Sequence, residues 1–380
     1  MRRDRGAPTL YIINQSYNKG VSFMSDTSHG TGGLTFDKTK RSWPNEMNIL
    51  LALIIIIVIF EILGQILPYM RDQSFLFDSK DRFDSIFNEA RLKIIILQVA
   101  IIGIIALGVT QVIITAGIDL SSGPLVAATA MIAMSFGQTE LVNGFPNPKA
   151  LFGTWAMDLP VIVPIVAGLA FGAFIGAING TFIAFLRIPP FIATLGMFLI
   201  CRGIALWWSG GNPISFPTAS YKFIGSGMMP VVWFLSLAVI FHLIMRYTVY
   251  GKHTYAIGSN EEAARMSGIN VKRHKVMVYT IASMLAAFAG IVLASKSETA
   301  QAGMGEFYEL FAIAMAVIGG ISLQGGRGSI IGTVLGAMVL GVIRSGFTYI
   351  KLDGSYQLMA MGSIIIAAIV LDQYRQRNKA

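Results

Sequence analysis

AGIDLSSGP, residues 116–124, interrupts an apolar stretch that otherwise runs from Lys93 to Phe136. It holds two glycines, one proline and three side chains able to cap a helix, Asp119, Ser121 and Ser122. Glycine and proline end helices, and a capping side chain starts the next one. The segment therefore reads as a broken helix at or near membrane depth. Irregular backbone there is tolerated only when it is buried in protein or lines a wet cavity. The fold class that follows is an all-α polytopic membrane protein with interrupted spans.

Composition agrees with this. Of 380 residues, 54% are hydrophobic and 13% charged, with a mean hydropathy of +0.65. A soluble domain carries roughly 25% charged residues. The net charge of +9 is no nucleic-acid signal, because the basic residues fall in short loops between apolar blocks. Cys201 is the only cysteine, which excludes an intramolecular disulfide and a Cys-rich metal site. Four scattered histidines form no ligand cluster, so no metal site is expected.

Ten apolar spans are predicted, at residues 48–67, 93–115, 120–136, 160–186, 191–209, 229–245, 276–294, 310–322, 330–350 and 357–371. Residues 1–47 read as a polar, disordered tail, 48–372 as one transmembrane domain, and 373–380 as a short C-terminal tail. Residues 69–92 read as an external loop or surface helix. Glu61, inside the first span, is expected to snorkel to the interface. With the N-terminus inside, eighteen Lys and Arg fall on inner segments and nine on outer ones. That bias places both termini in the cytoplasm.

The fourth span carries Gly168, Gly172, Gly176 and Gly180 at spacing four. Such a small-residue face lets two helices approach closely. Gly328, Gly332 and Gly336 repeat the spacing near the ninth span. GIDLSSGPLVAATAMIAM, from Gly117, resembles GISLQGGRGSIIGTVLGAM, from Gly320. Both follow one apolar span and open another through a glycine-rich break, and both copies run in the same direction. Paired broken segments point to a transport site between repeats, against chance likeness of two Gly/Ser-rich hairpins.

GKHTYAIGSNEEAARMSGINVKRHK, residues 251–275, lies within the expected cytoplasmic loop 246–275. Ser259 as N-cap and Glu262 three residues on make a capping box. Glu261 and Glu262 occupy the first turn, where the helix dipole favours them, and Gly268 stops the helix. The expected helix has about eight residues, roughly 12 Å, with an apolar face of Ala263, Ala264 and Met266. It reads either as a surface helix or as a docking helix for a partner protein.

No Walker A pattern, catalytic triad or paired in-membrane carboxylate appears. Asp119 reads as a cap for the half-helix that follows, ahead of a substrate ligand. Arg202 and Arg344 fall inside spans and must face protein or a cavity. Candidate pathway residues are Gln111, Thr115, Asp119, Ser121, Asn179, Thr194, Gln324 and Arg344. Most are neutral hydrogen-bonding groups, which suit the hydroxyls of a neutral solute better than an ion.

Three blocks, IIALGVTQVIITAGIDLSSG (104–123), GKHTYAIGSNEEAARMSGI (251–269) and YELFAIAMAVIGGISLQGGRGSIIGTVLGA (308–337), resemble the membrane permease of bacterial ABC importers for monosaccharides. That family includes ribose, xylose, arabinose, galactose and inositol transporters. The resemblance implies a paired second permease, a cytoplasmic ATPase that binds ATP and Mg, and a periplasmic sugar-binding protein. It implies no cofactor on this chain, no catalysis by it, and a place in the bacterial inner membrane. It also implies that Ser259, Asn260, Glu261, Glu262, Ala263, Ala264, Arg265, Met266, Ser267 and Gly268 seat in a cleft of the ATPase. Phe311 stands where an acid is expected, Arg344-Ser345 where Asn-rich sequence is usual, and Ala116 where a Gly is common. The alternative is an ion-coupled secondary transporter with Asp119 and Glu61 as coupling acids. A membrane-embedded enzyme lacks a constellation.

Overall fold

The structure, a computed structural model, describes residues 45–66, 75–77 and 88–377. The expected N-terminal tail lies almost wholly outside the described residues, as do most of residues 69–87.

Thirteen α-helices are present among the described residues: α1 (Asn45–Ile66), α2 (Glu89–Ile114), α3 (Ser122–Phe136), α4 (Ile162–Ala184), α5 (Pro190–Trp208), α6 (Ala219–Phe223), α7 (Met229–Tyr247), α8 (Val249–Ser259), α9 (Glu261–Met266), α10 (Val271–Ser297), α11 (Tyr308–Ile318), α12 (Ile330–Tyr349) and α13 (Gly354–Arg377). Seven, α1, α2, α4, α5, α7, α10 and α12, are long and apolar enough to cross a membrane. The remaining three expected spans are the shorter apolar helices α3, α11 and the apolar part of α13. α3 and α11 have 15 and 11 residues. At 1.5 Å per residue they reach only about 22 and 16 Å, short of a hydrocarbon core of about 30 Å. They are the half-helices that the two breaks create.

Several ends differ from the sequence reading. Asn88 caps α2 by accepting from the Arg91 N–H at 3.1 Å, so the helix starts at Glu89 instead of Lys93. α13 continues to Arg377, so residues 373–377 are helix rather than tail. Glu61 is not simply directed to an interface. Its Oε2 accepts the backbone N–H groups of Phe75 and Leu76 at 3.1 and 3.0 Å.

α2 is buried nearly all round from Val99 to Ile114, the pattern of a helix enclosed by others. α10 packs on it, with Gly108 of α2 against Ala282. On the other side of α10 runs the glycine stripe of α4. Gly168 faces Ile291, Gly172 faces Ala287 and Ser283, Gly176 faces Thr280, and Gly180 faces Val276. The order reverses, so the helices are antiparallel. A Cβ at Gly180 would lie 2.6 Å from Val276 Cα, a distance only glycine avoids.

α12 packs antiparallel to α2, with Thr110 Oγ1 and Thr333 Oγ1 at 2.7 Å and Gly341 against Val99. α11 folds back on α12 through Gly319, Gly332 and Gly336. α2 and α11 therefore run in the same direction, as the repeat predicts. Gly328 departs from its expected role. It precedes α12 with φ +142 and packs on Ile321 within the break.

At the end remote from α8 and α9, the loops are joined by hairpin β1 (Leu141–Val142) with β2 (Phe145–Pro146) and by β3 (Ile214–Ser215) with β4 (Thr299–Ala300). Gln138, fully buried, ties them together. Its Nε2 donates to the carbonyls of Lys149 and Ser215 at 2.7 and 2.9 Å, and its Oε1 accepts from the Leu151 N–H at 3.1 Å.

Candidate functional site

Three capped helices follow α7, two of them short. The Thr248 hydroxyl accepts from the Gly251 N–H and opens α8, Asn260 opens α9, and Asn270 opens α10. The N-cap of α9 is thus Asn260, whose Oδ1 accepts the Ala263 N–H at 2.9 Å. Ser259 does not serve. It is the last residue of α8, and its hydroxyl donates back to the Tyr255 carbonyl at 2.9 Å. Asn and Ser are near-equal caps, so the length of α8 decides between them. α9 is accordingly six residues long. Gly268 closes it with φ +85, its N–H donating to Arg265 while the Ile269 N–H donates to Ala264.

A helix this short does not stand alone. Ala264 packs with Ile257 and Val271, and Ile269 covers them. Lys275 Nζ meets Glu261 Oε2 at 2.6 Å and ties α9 to α10. Arg265 Nη2 meets Glu262 Oε1 at 2.6 Å. The expected apolar face reduces to Ala264, because Ala263 is exposed and Met266 is 79% exposed. Glu262, Arg265 and Met266 face outward, a charged pair beside an apolar knob.

α8 holds this helix against both breaks. A Cβ on Gly258 would fall on the Ile114 carbonyl and 2.6 Å from the Gly326 nitrogen. Gly325, at φ +83, lies against Ala116 and the Gly258 carbonyl, and Gly326, at φ +71, against Ser259. The Gly326 N–H donates to the Ile114 carbonyl at 2.8 Å. Tyr250 and Tyr255, both on α8, donate to Gln111 Oε1 at 2.7 Å and to the Gly328 carbonyl at 2.9 Å.

Of the eight pathway candidates, the structure brings three together. Asp119 Oδ1 accepts the N–H and hydroxyl of Ser121 at 2.9 and 2.6 Å, and Asn179 Nδ2 donates to Ser121 Oγ at 2.9 Å. Asp119 Oδ2 and Asn179 Oδ1 are buried with no hydrogen-bond partner among the described residues. Asp119 therefore braces the turn just before α3. Ser121, at the N-cap position, makes no side-chain cap bond. Thr194 lies next to this group, its hydroxyl 3.4 Å from the Ile118 carbonyl and 2.8 Å from that of Pro190. Thr115 turns its hydroxyl back to Val112 at 2.8 Å. Gln111 is taken by Tyr250, Gln324 is exposed in the second break, and Arg344 lies over the Phe311 ring at 5.5 Å.

Sequence reasoning did not join Arg202 to Glu309. Arg202 of α5 donates to the carbonyls of Ala302 and Met304 and, with Glu306 and Glu309, lines a cavity of about 300 Å³. The available signal was Glu309 opening an apolar run, since an ionisable residue in a membrane segment marks a functional site by default. Among the described residues no group of three or more His, Cys, Asp or Glu is placed to hold a metal ion.

The family described as branched-chain amino acid transport system / permease component matches residues 91–369. The ribose import permease protein RbsC of Bacillus subtilis is 38% identical over 283 residues, 73% of this chain and 82% of its own length. RbsC of Escherichia coli K12 is 34% identical over 345 residues, 88% of this chain and 96% of its own. The galactose/methyl galactoside import permease protein MglC of Haemophilus influenzae is 37% identical over 297 residues, 75% of this chain and 87% of its own. No solved structure matches the chain. The spans, the two breaks and these likenesses agree, and the chain belongs to this family of multi-pass permease components of transport systems.

Proposed function

We propose that the chain is the membrane subunit of an ABC importer and forms the path for a monosaccharide or polyol across a bacterial inner membrane. It hydrolyses nothing itself. A cytoplasmic ATPase supplies ATP and Mg chemistry, a second permease copy completes the path, and a periplasmic binding protein delivers the sugar. The α9 end faces the cytoplasm.

The observation that carries this reading is the mounting of α9. Its outward face shows Glu262, Arg265 and Met266, while α8 behind it touches Ile114, Gly325 and Gly326, and Gly325 in turn touches Ala116. Force applied to α9 therefore reaches both half-helix breaks through backbone contacts. An ion-coupled carrier finds less support, since Glu61 is committed to the backbone of Phe75 and Leu76.

The test replaces Glu262 and Arg265 together by Ala and measures ATPase co-purification and sugar uptake. Loss of both is expected. Unchanged binding and uptake refute the docking role, and uptake by the purified chain alone in liposomes refutes the importer.

A further inference from the structure

We propose that the cavity between α5 and residues 302–309 binds the hydroxyl groups of the transported monosaccharide. The proposal rests on the importer reading and deepens it by placing a solute site in the permease itself. The cavity, of about 300 Å³, is lined by Phe198, Arg202, Leu206, Glu306, Phe307 and Glu309 among others, a size at the lower end for small-molecule sites.

Its position excludes a lipid-facing surface. Arg202 lies six residues before Trp208, the last residue of α5, which is about 9 Å along the helix. A guanidinium and two carboxylates on such a face are too costly against hydrocarbon and require water, protein or a polar solute.

Its hydrogen-bonding groups are incompletely used. Arg202 spends Nη1 on the carbonyls of Ala302 and Met304, and its other two nitrogens have no partner among the described residues. Arg202 and Glu306 form no ion pair within 4 Å there. Glu309 is 4% exposed and its Oε2 is sealed against Gly123 of α3, so the open groups of the cavity are the free Arg202 nitrogens and exposed Glu306. A lone cation finds the guanidinium opposed to it, and an anion finds the carboxylate of Glu306. A sugar hydroxyl both donates and accepts, so a mixed set of donors and acceptors fits it. Phe198 and Phe307 offer apolar walls for the C–H faces of a sugar ring. Phe307 is held at φ +62, a backbone state that bulky residues rarely adopt and that concentrates at ligand sites.

Gly303 lines the cavity, is exposed, and has open space where a Cβ would stand. Gly303→Cys therefore introduces a thiol there without a clash. Cys201 is fully buried, so the unsubstituted chain is the unlabelled control. The complete importer is reconstituted in liposomes and treated with a charged, membrane-impermeant methanethiosulfonate. D-ribose or D-galactose is added, whichever the unsubstituted assembly takes up. We expect labelling of Gly303→Cys that the sugar slows. In the same background Arg202→Gln removes the protection and raises the half-saturating sugar concentration for uptake about tenfold, the loss of one charge-assisted hydrogen bond, while Arg202→Lys restores part of both. No labelling, or labelling at the same rate with and without sugar, overturns the site while leaving the importer reading intact. Absence of ATP-dependent uptake of any monosaccharide by the unsubstituted assembly overturns the importer reading and this site with it.

Discussion

The backbone N–H of Gly326 donates to the carbonyl of Ile114 at 2.8 Å. Ile114 ends α2, and the last carbonyls of a helix have no partner within it. The second break thus satisfies the end of the helix that precedes the first break, and Gly258 of α8 closes over the bond. A side chain at position 258 cannot fit there. Gly258→Val is expected to separate the breaks at a cost of about 1–3 kcal/mol, the usual penalty for overpacking. ATP-driven uptake in proteoliposomes falls, while the ATPase still co-purifies because the outer face of α9 is untouched. Normal uptake would show that the joint does not carry motion.

Asn260 and Ser259 should differ sharply. Asn260→Ala removes the cap of α9 and costs about 1 kcal/mol. Ser259→Ala removes only a hydroxyl bonded back to Tyr255. Weaker retention of the ATPase is expected for the first and near-normal retention for the second, measured by pull-down from membranes.

The glycines of α4 and α5 offer a matched contrast in thermal unfolding. Gly172→Leu forces a side chain into Ala287 and the Ser283 carbonyl, and unfolding in detergent is expected to drop by at least about 1–3 kcal/mol equivalent. A Cβ at Gly196 meets nothing within 4 Å. Gly196→Ala is expected to be neutral or stabilising by about 0.5–1 kcal/mol, the helix preference of Ala over Gly.

Tyr250→Phe leaves the Oε1 of fully buried Gln111 without the hydroxyl it accepts from. An unsatisfied buried acceptor costs about 1–3 kcal/mol. A lowered unfolding temperature is expected, and Gln111→Leu in the same chain should recover part of it, since removing both polar partners is nearly neutral.

Much of the fold was legible because membrane spans announce themselves through sustained apolar composition. The stripe from Gly168 to Gly180 predicted a close helix pair, although not that the partner is α10. The break at residues 116–124 was visible from its turn and capping residues. What escaped was relational. Asn260 and Ser259 are both good caps, and only the extent of α8, set by its packing on the breaks, chooses between them. Gln111 and Thr115 look like pathway residues in isolation, yet both are satisfied within the bundle. Arg202 and Glu309 are 107 positions apart, and their lining one cavity depends on residues 302–309 folding against α5, which no local pattern encodes.

The fastening by Gln138 has a mechanical consequence. One side chain ties residues 149, 151 and 215, so the remote loops are fastened to one another beside the end of α3. The glycine joint around Gly258 lies at the opposite pole, where backbone meets backbone with no side chain between. A push delivered at that joint is expected to displace the Asp119 end of α3 more than its Phe136 end, which lies two residues from the Gln138 fastening.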